Sequence, residues 1–143
     1  MRIIDRFSSE HDVFISQLEV IEDLARGGAD VASVVAAIRT LAAPLLAHAK
    51  HEERALFSDL KPSKGGLLAV LTMEHHVLHG QLDRMTADPP RWELEQVLDA
   101  FLRLLLGHIE KEEVVVFPAA AQLIDRSRLE RMDREIRGHA GVR

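Results

Sequence analysis

The 143-residue sequence has no cysteine and no tyrosine, and only one tryptophan. Without thiols there are no disulfides, no thiolate metal ligands and no thiol nucleophile. Without tyrosine no tyrosyl radical can serve an oxygen-activating site. Positive charge is in the minority too: 18 Lys and Arg face 23 Asp and Glu, a formal net charge of -5. That balance argues against a nucleic-acid or anionic-membrane surface. Long apolar runs are missing as well. The opening MRIIDRFSSEHD holds nothing like the apolar centre of a signal peptide, so export is not expected. The longest apolar stretch, residues 31–47, is interrupted by Arg39 and Pro44 and is shorter than the roughly 20 residues that span a bilayer. The expectation is a soluble, cytoplasmic protein of one domain.

What the chain does have is apolar residues at three- and four-residue spacing almost throughout, with no sustained strand alternation. This predicts an all-α protein. A first helix is expected over residues 9–26, capped by Ser9 and stopped at Gly27 and Gly28. The second is expected over 30–60, the third over 67–87 after the breaker cluster 61–66, the fourth over 91–124 after Pro89 and Pro90, and a short fifth over 127–137. Pro44 and Pro118 should bend the second and fourth helices, the first of these one turn before His48. Short connections favour an antiparallel up-down-up-down four-helix bundle, with 126–143 as a C-terminal cap or tail.

The chain also repeats itself. Residues 45–53, LLAHAKHEE, match 105–113, LLGHIEKEE, and Phe57 matches Phe117, all at an offset of 60. Glu10, His11 and Val13 match Glu74, His75 and Val77 at an offset of 64. Eight histidines are unusual at this length, and several lie on apolar stripes. His11 shares a face with Phe14, Ile15, Leu18 and Ile21; His48 and Glu52 continue the stripe of Val34, Ile38, Leu41 and Leu45. His75 and His79 lie among Leu68, Leu71, Leu78 and Leu82, and His108 and Glu112 follow Phe101 and Leu105. Any one such histidine could be an ordinary core residue bonded to a carbonyl. Five imidazoles and two carboxylates in one core would leave charges unpaired at several kcal/mol each without a cation. Nitrogen and oxygen donors of this kind suit iron, with manganese and zinc as weaker candidates. Neither the Glu-x-x-His pairs of ferritin-like proteins nor His-Glu-x-x-His is present.

These residues resemble those of hemerythrin and the HHE cation-binding domains, over nearly the whole chain. The family pattern is met by His11, by His48 and Glu52, by His75 and His79, and by His108 and Glu112. The resemblance implies two iron ions bridged by carboxylates and by a solvent-derived oxygen. Oxygen carriers of the family place the last acid at the position of Glu113, whereas many HHE domains place it at Glu112. Four residues along a helix are about 40° off one face and five about 140°, which favours Glu112. Ile15 stands at the position equivalent to His79, so the two metals are expected to be unequal, one with His75, His79 and His108 and the other with His11 and His48. The open position is expected on the latter, with Ile15 as the apolar wall of a small-molecule pocket.

Of the remaining histidines, His51 and His76 are expected to face away from the centre and His139 to lie in a loose tail. Glu53 and Glu113 are expected to be solvated or to sit behind the ligands. The resemblance implies reversible O2 binding, for storage, delivery or sensing. An enzyme acting on peroxide or nitric oxide and an iron sensor are the alternatives, and a metal-dependent small-molecule-binding protein is expected ahead of an enzyme. The expected partner is O2 or another small diatomic, with no nucleic acid and no membrane.

Overall fold

The computed structural model describes residues 1–141, with side chains as far as residue 138. Every regular element among the described residues is helical. Helix α1 (Ile3–Arg26) begins well before Ser9. The apolar pattern explains this: Ile3, Ile4 and Phe7 extend the inward stripe of His11, Phe14, Leu18 and Ile21, and all seven are buried. Ser9 sits inside the helix, where its hydroxyl donates to the Asp5 carbonyl at 3.0 Å instead of capping. The helix stops where Gly28 takes a φ of 78°, which lets Ala29 N–H donate to Leu24 O at 3.0 Å.

Helix α2 (Val31–His51) opens on Asp30, whose carboxylate accepts from the Ser33 N–H at 2.7 Å. It runs through Pro44 without interruption; the departure from α geometry comes after His48, in a π turn at Glu52–Phe57. Helix α3 (Ser58–Met85) is broken at Lys64 (φ -128°, ψ 21°), inside the expected breaker cluster. Helix α4 (Arg91–Lys111) starts after Pro90 and leads into a second π turn, Glu112–Val116. Pro118 falls in the first turn of α5 (Phe117–Leu123), where a missing N–H costs least. Helix α6 (Arg126–Gly141) runs through position 139, where a loose tail was expected; the His139 side chain and residues 142–143 lie outside the described residues. By length and composition alone, the run Val31–Met85 holds a stretch apolar enough to cross a membrane, despite Arg39 and Pro44. In the fold its α2 part supplies a buried stripe from Val34 to Leu45.

Helices α1 and α3 each pack against both α2 and α4, so the four long helices form a bundle. The apolar core is in two parts. One cluster runs from Phe14 to Ile21, Val34 to Leu45, Leu78 to Met85 and Leu94 to Ile109. The other joins Ile3, Ile4 and Phe7 to Leu56, Phe57, Leu60, Leu68, Leu71, Val116 and Phe117, and α6 covers it with Leu129, Met132 and Ile136. Asp133 of α6, fully buried, accepts from the Arg6 guanidinium and ties the cap to α1. Between the clusters lies a layer of buried histidine and glutamate.

Candidate metal centre

Each long helix contributes to that layer. His11 comes from α1, His48 from α2, His75 from α3 and His108 from α4, all 8% exposed or less. Glu52 and Glu112, both fully buried, open the two π turns. A π turn carries one residue more than an α turn, a feature that recurs at functional sites. Here it lets Glu52 and Phe57, five residues apart, both point inward, and likewise Glu112 and Phe117.

Two donor groups result, His11, His48, Glu52 and Glu112, and His75, His108, Glu52 and Glu112, with the donor atoms of each within 4.8 Å of one another. Each carboxylate spans both. Glu52 sets Oε2 3.4 Å from His48 Nε2 and Oε1 3.2 Å from His75 Nε2; Glu112 sets Oε1 3.0 Å from His11 Nε2 and Oε2 3.5 Å from His108 Nε2. The sequence repeat is therefore a pseudo-twofold axis through the centre.

The same symmetry governs the outer faces of the imidazoles. His11 Nδ1 donates to Glu113 and His75 Nδ1 to Glu53, both at 2.6 Å. His48 Nδ1 donates to Glu10 at 2.6 Å and His108 Nδ1 to Glu74 at 2.9 Å. An ionised carboxylate can only accept, so each ring carries a proton on Nδ1, and a ring that is neutral turns its Nε2 lone pair to the centre. Phe117 stacks on His11 at a centroid distance of 5.4 Å and Phe57 on His75 at 6.0 Å, which fixes two of the rings further.

The donors fit cations. All four oxygens of Glu52 and Glu112 are buried without a hydrogen-bond partner, as is His48 Nε2. Orphaned buried acceptors of this kind are costly unless a positive ion meets them. His75 Nε2 and His108 Nε2 also approach to 3.1 Å, two lone pairs aimed at one point. In the ion-free protein protons fill the role. Burial opposes charge on His48, but Glu52 and Glu10 outweigh it and push its pKa up to about 10. Burial likewise opposes charge on His11 and His108, and Glu112 raises both. Burial would raise Glu52 as well, yet His48 and His75 hold it well below the carboxylate range. Glu112, buried and beside the Glu52 charge, is raised.

Six of the seven expected ligands are thus brought together, and His79 is not. Its side chain is 56% exposed and its Nε2 lies 3.7 Å from Asp83. The buried stripe of α3, Leu68, Leu71, His75, Leu78, Leu82 and Met85, steps strictly by three and four. Leu78 takes the inward place, and His79 falls roughly 70° from the centre of that stripe. The expected three-to-two division of imidazoles is corrected accordingly: each group has two. Ile15 moves for the same reason. It is partly buried against the core, while Phe14 lines the central cavity and packs edge-on to His48 at 5.2 Å. That cavity, about 10 Å³, has room for about one water-sized atom. His76 is exposed and His51 partly buried, both outside the two groups. Glu10 and Glu74 were readable only as the residues that precede His11 and His75 in the repeat.

A family model for the hemerythrin HHE cation-binding domain matches residues 2–120. No curated protein and no solved structure gives a significant match.

Proposed function

The chain belongs to the hemerythrin HHE cation-binding domain family, and on that premise we propose that it holds two iron ions and binds O2 or a related small molecule reversibly. The observation that carries the proposal is the pair of buried carboxylates, each with one oxygen turned to each histidine pair and all four oxygens otherwise unpartnered. The antiparallel up-down-up-down arrangement is part of this reading. It is supported by polar contacts that join the end of α1 to the start of α4, Arg91 to Ala29 O at 3.0 Å, and the end of α3 to the same region, Arg84 to Glu93 at 3.1 Å.

Iron held by His11, His48, His75, His108, Glu52 and Glu112 would supply the electrons for binding such a molecule. The chain orients the four imidazoles through their Nδ1 carboxylates and keeps the cavity apolar. Binding is favoured over turnover by the cavity wall, whose polar groups among the described residues are the six donors alone; the rest is Phe14, Leu45, Leu46, Ala49, Leu78, Leu105 and Ile109. Among the described residues that line the cavity, no acid or base other than these six donors stands ready to move a proton.

Metal analysis with optical spectra, first anaerobic and then in air, tests the proposal. Two irons per chain and a visible band that appears in air and fades on degassing are expected. Fewer than two metals, zinc alone, or peroxide or nitric oxide turnover far above that of free iron would overturn it.

A further inference from the structure

The two halves of the centre match residue for residue inside, but not where they meet solvent. A groove of about 340 Å³ lies between α2 and α3. It shares three lining residues with the central cavity, Leu46, Ala49 and His75, which form the partition between solvent and the donors. The repeat carries the groove onto the seam between α1 and α4. There Ala49 becomes Ile109, 5% exposed, and His79 becomes Ile15, packed against the core. One seam is thus closed by two isoleucines where the other has a methyl group and an outward-turned imidazole.

Charge breaks the symmetry in the same direction. Lys50 and Arg54 on the groove correspond to Glu110 and Val114, and His76 corresponds to Asp12. Two carboxylates stand nearby: Glu53, which accepts from His75 Nδ1 at 2.6 Å, and Asp83, 3.7 Å from His79. Lys50 and Arg54 balance Glu53 and Asp83, so the groove is formally neutral, whereas the equivalent seam carries Glu110, Glu113, Glu19 and Asp12 with no cation at the matching positions. A small anion therefore approaches this groove against less repulsion than it meets at the α1–α4 seam.

We propose that the groove between α2 and α3 is the entrance to the centre, that it admits a small anion of two or three heavy atoms, and that this anion arrives beside His75 past Ala49. The proposal rests on the metal-centre reading and alters it in one respect, since entry was expected on the side of His11 and His48.

Azide is the probe. With iron-loaded, oxidised protein, Ala49→Ile is expected to slow azide association by tenfold or more, because the larger side chain narrows the partition through which the anion passes. Lys50→Glu combined with Arg54→Glu, at exposed positions, is expected to slow association several-fold at low ionic strength and to match the wild type at high salt. In metal-free protein, thiocyanate should shift the amide resonances of Ala49 and His76 but not those of Glu110 and Asp12. Azide rates unchanged in both variants, or thiocyanate shifts on the α1–α4 seam, would overturn the entrance. Failure to take up iron would sink the centre instead, and the thiocyanate titration would still decide the entrance.

Discussion

Glu112 and Glu113 are neighbours in sequence with different tasks, one turned into the donor layer and the other bonded to His11 Nδ1 from outside. Glu112→Gln removes an anion shared by both cation positions and is expected to abolish binding of at least one metal. Glu113→Gln only loosens the orientation of one imidazole and should weaken binding by about 10- to 100-fold. Metal titration of both variants checks the order. His79→Ala is expected to retain both metals while His75→Ala loses one, an outcome opposite to the spacing-based expectation that paired the two. His48 also makes stability depend on pH. Its folded pKa, about 10, is raised from 6.5, so in metal-free protein it contributes stability that is full below pH 6.5 and lost as pH rises through about 10. Bound metal needs the neutral ring and removes that loss. The Tm of chelator-treated protein should therefore fall between pH 6.5 and 10 while that of the loaded protein holds. Parallel curves would show that His48 carries no such proton.

Elements were legible in the sequence where a periodic stripe met a breaker. Gly27 and Gly28, Asp30, and Pro89 with Pro90 end or start helices as their chemistry demands. Ser9 has the chemistry of a cap, yet the stripe of α1 continues back through Ile3, Ile4 and Phe7, whose burial depends on α6 and the second cluster. The π turns left no mark that periodicity could reveal, since one added residue looks like a slip between three- and four-residue steps. Their effect is testable. Deleting Arg54, an exposed residue within the first π turn, would return the segment to α register and rotate the start of α3 by about 100° relative to α2. Phe57 would leave His75. The expected result is loss of a bound cation with helical circular dichroism retained; unchanged metal content would show that the turn does not position the centre. Helix α6 contributes through packing: Met132→Ala should cost about 2–4 kcal/mol in urea unfolding, since Met132 is 1% exposed beneath the second cluster.

The molecule as a whole is two apolar clusters with a polar layer between them, and the internal repeat makes that plan legible in the sequence. Ile4, Phe7, His11, Phe14, Leu18 and Ile21 of α1 correspond at an offset of 64 to Leu68, Leu71, His75, Leu78, Leu82 and Met85 of α3, and all twelve are buried. What the repeat could not give was the direction of residues at the edge of a stripe, which is why the equivalence of Ile15 and His79 was legible while the exposure of His79 was not. The layered plan also bears on the iron-sensor alternative, in which the fold would depend on the metal. Without cations the layer holds Glu52 and Glu112 side by side, with the proton on His48 partly compensating. That is a penalty, but both clusters are continuous without the layer, and α6 closes the second from outside. Chelation is therefore expected to lower Tm, because metal that binds only the folded state stabilises it by mass action, yet to leave the helical signal at 25 °C intact. Collapse of that signal on chelation would mean that the clusters cannot hold the bundle alone and would favour a sensor whose fold reports metal occupancy.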